Sequence, residues 1–194
     1  MCAHPTFLYI SSTTLLLASS SDEVFGTGND PVNLKSGLEE CSFNKLTVVP
    51  GIGDPNEVAT GVIEVSIGIS LEVNDRGTIR NAVTTAVQNK LGHSLPGPYN
   101  YILYSLEKCY QGCGWAAYAY INSWNSVYQD RYYKLPGVLM HEVSMCLAVY
   151  LQTSCNIWDS LLTTSSICHS LSICSARSQL RPRPFRRVGL ANIY

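Results

Sequence analysis

The chain has 194 residues, 46% of them hydrophobic and 14% charged, with a formal net charge of −1. That length suits one domain with short appended segments, and the apolar content separates it from the polar, highly charged composition of disordered chains. A near-neutral chain has no overall field to draw in nucleic acid or an anionic membrane surface, and no run of about 18 apolar residues is present to span a bilayer.

Two apolar patches open the sequence, Phe7-Leu8-Tyr9-Ile10 and Leu15-Leu16-Leu17-Ala18, and they run into Ser19-Ser20-Ser21. This is the pattern of a signal-peptide core ending in small residues, although no Lys or Arg precedes it. Residues 1–21 are therefore set apart as signal-like or unstructured, and the protein is expected to be secreted or extracellular.

Leu46-Thr47-Val48-Val49 reads as a short strand ended by Pro50 and a glycine-rich turn at 51–53. Ile63, Val65, Ile67, Ile69 and Leu71 alternate with Glu64, Ser66, Gly68, Ser70 and Glu72, which predicts a longer strand with one buried face. Asp75 is placed to cap a helix in which Ile79, Val83, Ala86, Val87 and Leu91 recur at helical spacing, and Gly92 terminates it. Tyr101–Leu106 and Trp115–Tyr120 read as strands on either side of a Cys109 to Cys113 loop. Pro136-Gly137 then opens an apolar stretch, Val138–Leu151, long enough for a buried helix. The order strand, strand, helix, strand, strand, helix predicts an α+β fold with α/β-like layers.

Eight cysteines, at 2, 41, 109, 113, 146, 155, 168 and 174, are dense for a cytosolic protein and ordinary for a secreted one. Disulfides are the expected use, with connectivity left open. Cys109 and Cys113 have the spacing of half a zinc knuckle, but no second Cys or His pair follows at matching distance.

Met140-His141-Glu142 is a weak signal alone, because a single His on an apolar helix is more often a satisfied core residue than a ligand. Its surroundings carry more. The run Trp115-Ala116-Ala117-Tyr118-Ala119-Tyr120-Ile121-Asn122-Ser123-Trp124-Asn125-Ser126-Val127-Tyr128, continuing to Leu139-Met140-His141-Glu142, resembles the segment before the zinc helix of gametolysin-type peptidases, a secreted metzincin-like family. In that family a stretch similar to Ala117–Trp124 forms a strand shortly before a Met-His-Glu triplet. The resemblance extends back through Cys41-Ser42-Phe43-Asn44-Lys45-Leu46, the strand at Gly61 to Ser70 and the helix around Asn81-Ala82-Val83, and covers residues 22–142.

The resemblance implies a metzincin-like upper subdomain, with a twisted mixed sheet and two main helices, whose lower subdomain is missing or replaced. It also implies a secreted zinc metalloendopeptidase lineage acting on extracellular or cell-wall proteins, with Zn²⁺ as cofactor and a protein or peptide as substrate. His141 takes the position of the first zinc ligand and Glu142 that of the general base. In the intact motif two imidazoles four residues apart share a helix face and reach one tetrahedral Zn²⁺, and a third His follows six residues on. Here those two positions hold Met145 and Leu151. A thioether is a ligand that zinc sites rarely use and leucine offers no donor, so tight zinc binding and peptide hydrolysis are not expected.

The match stops at Glu142. Residues 143–194 hold nine serines, four cysteines, five arginines, no lysine and one acid, Asp159, and set a non-family tail apart from the 22–142 domain. Val143-Ser144 can be encoded GTGAGT, a common splice-donor sequence, so a retained intron or a frame change would account for the switch. Cys146, Cys155, Cys168, His169 and Cys174 match no compact zinc module, and a Cys146 nucleophile served by His169 lacks a third orienting group. The Arg181–Arg187 segment reads as a solvated tail rather than a nucleic-acid contact. A second reading is a non-catalytic, disulfide-stabilised binding domain, in which an edge strand near Tyr118 to Ser123 pairs with an extended peptide.

Overall fold

The computed structural model describes residues 6–11, 17–28, 30–42, 44, 46–51, 61–109 and 113–154. A mixed sheet lies at its centre. Strand β1 (Thr6–Ser11) is followed by helices α1 (Leu17–Phe25) and α2 (Leu34–Cys41), then by the short strands β2 (Val49–Pro50) and β3 (Val62–Glu64). Helix α3 (Arg76–Leu91), strands β4 (Tyr101–Leu106), β5 (Ala117–Ala119) and β6 (Asn125–Gln129), a 3-10 turn (Asp130–Lys134) and helix α4 (Pro136–Ser154) complete it. β2 and β3 pair in succession with one side of β1, through Thr6 with Val49 and Ile10 with Ile63. β4 pairs with the other side of β1, and β6 and then β5 follow. Every pairing is parallel except β5 with β6, so the sheet ends in one antiparallel edge strand.

Alternation along β4 shows how the layers are assigned. Tyr101 and Leu103 point into one core with Val24, Phe25, Leu34, Leu38, Leu139, Met140 and Val143, which belong to α1, α2 and α4. Ile102, Tyr104 and Leu106 point into the other, with Ile79, Val83 and Val87 of α3. A strand covered on both faces has no polar side, and all six β4 residues are buried.

The same logic explains what the sequence reading misplaced. Of residues 1–21, expected to be signal-like or unstructured, the described ones form Thr6–Ser11, a strand flanked by β2 and β3 on one side and β4 on the other, and the start of α1 at Leu17. A central parallel strand is a short continuous apolar run, which resembles a signal core in one dimension. The alternating stretch 63–71 is a ladder strand only as far as Glu64. Beyond it Val65 stays buried and Ile67, Ile69 and Leu71 pack partly against the α3 core, while Ser66, Gly68 and Ser70 are exposed. Alternation records which face is covered; it does not record whether the backbone has a neighbour, and among the described residues the β1–β3 pairing runs only as far as Ser11 with Glu64. β6 was not anticipated at all.

Helix α3 begins and ends where the sequence places it. The Asp75 carboxylate accepts from the amides of Gly77 and Thr78, and Gly92 ends the helix at φ +72 with its amide returned to the Gln88 carbonyl. α2 carries a reciprocal cap: Asn33 Oδ1 accepts from the Ser36 amide and Ser36 Oγ from the Asn33 amide. α4 runs unbroken through Glu142 and Val143, so the change in sequence texture falls inside a helix.

Candidate functional site

Helix α4 lies under the edge of the sheet. Its N-terminus is opened by Pro136, whose missing N–H is no loss in a first turn. Leu139, Met140 and Val143, at 0 to 1% exposure, anchor one face in the core, which turns His141 outward to solvent and leaves Glu142 partly buried. Met145 and Cys146 follow one turn later, directly beneath the β5–β6 connection.

Two donors fix that connection to the helix, the Asn122 amide and the single S–H of Cys146. The Asn122 amide donates to the Met145 carbonyl at 3.3 Å, and the Cys146 thiol lies 3.5 Å from the carbonyls of Tyr120 and Asn125. Asn122 accomplishes the reversal at φ +58, a left-handed conformation that asparagine tolerates better than most residues. The edge strand and the helix carrying His141 and Glu142 are thus held together by main-chain groups and one thiol.

The electrostatics are those of a partly dry site. Burial pushes the Glu142 carboxyl above its ordinary range, opposed by the neighbouring His141. Burial also raises the Cys146 thiol to about 11, with Tyr101 acting in the opposite direction through a hydrogen bond. Such a thiol stays protonated and is a poor nucleophile. Cys146 is a free cysteine, whereas Cys109 and Cys113 are joined in a disulfide.

His141, Glu142, Met145 and Cys146 therefore sit on two turns of one helix, but not on one face. His141 points outward and Cys146 inward. Among the described residues, no group of three His, Cys, Asp or Glu side chains comes together as a candidate metal cluster. The side chain of Leu151, and Cys155, Cys168, His169, Cys174 and the arginine-rich segment, lie outside the described side chains.

Across the sheet, the α3 face of the same edge holds a group that the sequence reading passed over. The Arg76 guanidinium lies 5.6 Å from the Tyr118 ring centre, and that of Arg80 lies 5.2 Å from Tyr120 and 5.5 Å from Trp124. Arg80 Nε donates to Asn125 Oδ1 at 3.1 Å, which also accepts from Ser123 Oγ; these two donors fix the orientation of the amide. The sequence signal is the i, i+4 spacing of two arginines on the helix before an aromatic-rich strand, which becomes legible only once the start of α3 is known to lie against Tyr118 and Tyr120.

Compared with known proteins, the chain matches no family model, no curated protein and no solved structure.

Proposed function

We propose that the chain is a secreted, metzincin-like domain of the gametolysin type that has lost peptidase activity. The observation that carries this reading is the pairing of His141 and Glu142 on a helix tied beneath an antiparallel edge strand, with Met145 where the next imidazole of the zinc motif belongs. Further support comes from the mixed sheet, which agrees with the twisted mixed sheet expected, although it packs against four helices where two main ones were expected.

The donor set does not fit a three-ligand zinc site. His141 supplies one imidazole, its i+4 neighbour supplies a soft neutral thioether, and Leu151 supplies nothing. Glu142 keeps a raised affinity for protons but has no activated water to serve, so peptide hydrolysis by this route is not available to the chain. The test is zinc content after equilibrium dialysis of the full chain, together with hydrolysis of a denatured protein substrate with and without chelator. Substoichiometric zinc and no turnover are expected; turnover that a chelator abolishes would sink the proposal.

A second reading is favoured by the ladder geometry at β5. The Gln129 amide donates to the Ala116 carbonyl at 2.9 Å, so the hydrogen-bonded pairs are Ala116 with Gln129 and Tyr118 with Val127. The N–H and C=O groups of Ala117 and Ala119 then point away from the sheet, toward an edge with no further strand among the described residues. A binding domain would use that edge to add an extended peptide, with main-chain bonds to two small residues that block nothing. Binding of an extended peptide without cleavage, lost on N-methylation of the peptide, is the expected result.

A further inference from the structure

The face above the open edge carries two positive charges that no carboxylate among the described residues neutralises. Neither Arg76 nor Arg80 has a carboxylate partner among the described residues. Asp75, next to Arg76, has both carboxylate oxygens engaged by the start of α3, through the Gly77 and Thr78 amides and the Thr78 hydroxyl. Arg80 uses one of its five N–H donors on Asn125, and its plane is flanked by Tyr120 and Trp124, so its position is set before any ligand arrives. Tyr120 is 47% exposed, which leaves this cluster open to solvent on the edge side.

The pleat places this cluster with respect to an added strand. Ala117 and Ala119 turn their side chains to the α4 face, and Tyr118 turns its ring to the α3 face. A peptide residue paired opposite Tyr118 presents its side chain on that same face, beside the guanidinium that lies over Tyr118. The next residue on that face, two positions along, reaches the Arg80 and Tyr120 pair.

We propose that Arg76 and Arg80 make the edge of β5 selective for acidic extended peptides, each receiving a carboxylate side chain from alternate positions of the added strand. The proposal rests on the second reading above, in which that edge takes a peptide. Rings and guanidinium groups packed together exclude part of the solvent from the ion pair, and a carboxylate can meet Arg80 in the plane it already occupies.

The test uses the full chain and two capped synthetic peptides, one alternating Thr with Glu and one alternating Thr with Gln, followed by fluorescence anisotropy. The acidic peptide should bind about fivefold more tightly at low salt, the combined effect of two partly exposed ion pairs, and the preference should shrink as salt is raised. Arg80→Gln should remove most of it. Because Arg80 also holds Asn125, Arg76→Gln, at the exposed start of α3, provides a variant with little structural role that should reduce the preference independently. Equal affinity for the two peptides, with both lost on N-methylation, overturns the role of the arginines and leaves the edge reading intact. Binding of neither peptide overturns the edge reading and this inference with it. Acidic binding that survives N-methylation also overturns the proposal, since the cluster would then take an anion without strand addition.

Discussion

Glu142 and Cys146 sit one turn apart on α4, and burial acts on both in the same direction. For Glu142 the folded carboxyl holds its proton more tightly than the unfolded one, whose ordinary value is 4.5. The folded state therefore binds more protons in the window above that value. The stabilising contribution is whole below it and is lost as pH rises through the raised folded pKa. Glu142→Gln keeps the shape and removes the titration, so its denaturation midpoint should gain on the parent as pH rises from 4 toward 7; parallel curves for the two proteins would refute the placement. For Cys146, a thiol at about 11 in place of 9.0 carries roughly one-hundredth of the thiolate at neutral pH. Iodoacetamide should label it about a hundredfold more slowly in the native protein than in urea, read by mass spectrometry of the peptide containing residue 146. Rapid native labelling would mean that the helix does not bury this side.

At the scale of elements, the parts legible in the sequence are those whose stabilising groups are local. Asp75 and Gly92 delimit α3 because a cap and a left-handed stop lie within a few residues of what they terminate. β4 was legible as a compact apolar run. β6 was not, because Asn125, Ser126 and Gln129 are polar and buried, and their burial is decided by α3, β4 and α4 rather than by neighbours in sequence. β1 was hidden for the opposite reason, its apolar run having a plausible use outside the fold. The local caps also make quantitative predictions. Asn33→Ala removes the side-chain half of the α2 capping box, the Oδ1 that accepts from the Ser36 amide, while the main-chain amide at 33 keeps its bond to Ser36 Oγ, and it should cost about 1 kcal/mol in chemical denaturation. Two glycines separate strain from clash. At Gly92, φ +72, an added Cβ meets nothing within 4 Å, so Gly92→Ala should cost only the left-handed strain of about 1 kcal/mol. At Gly61, φ +78, the Cβ would also lie 2.8 Å from Pro50 Cβ and 3.0 Å from the Phe25 ring, and Gly61→Ala should cost clearly more. Equal losses at the two positions would show that the contact of Gly61 with the β2 and α1 region is misplaced.

For the molecule as a whole, the candidate site was half legible. The roles of His141, Glu142, Met145 and Leu151 come from the family resemblance, and the helical repeat by itself relates only His141 to Met145 on one face. The outward turn of His141, the thiol clamp of Cys146 on the β5–β6 connection and the arginine and aromatic face depend on contacts between elements that no spacing records. This division leads to a whole-molecule prediction about what repair can achieve. Met145→His places a second imidazole one turn from His141, on the helix face that a zinc-binding pair requires. The Met145 carbonyl that accepts from Asn122 is main chain and survives the change, so the edge strand should remain seated. Zinc affinity should rise roughly tenfold in equilibrium dialysis, because two neutral imidazoles replace one. Hydrolysis should stay absent, because Leu151 still leaves the third position without a donor and a two-ligand ion is not held in the geometry that activates water. Unchanged zinc affinity in a folded Met145→His protein would show that residues 141 and 145 do not converge, and the metallopeptidase lineage would lose its geometric support. Turnover in that single variant would show instead that a donor outside the described residues completes the site.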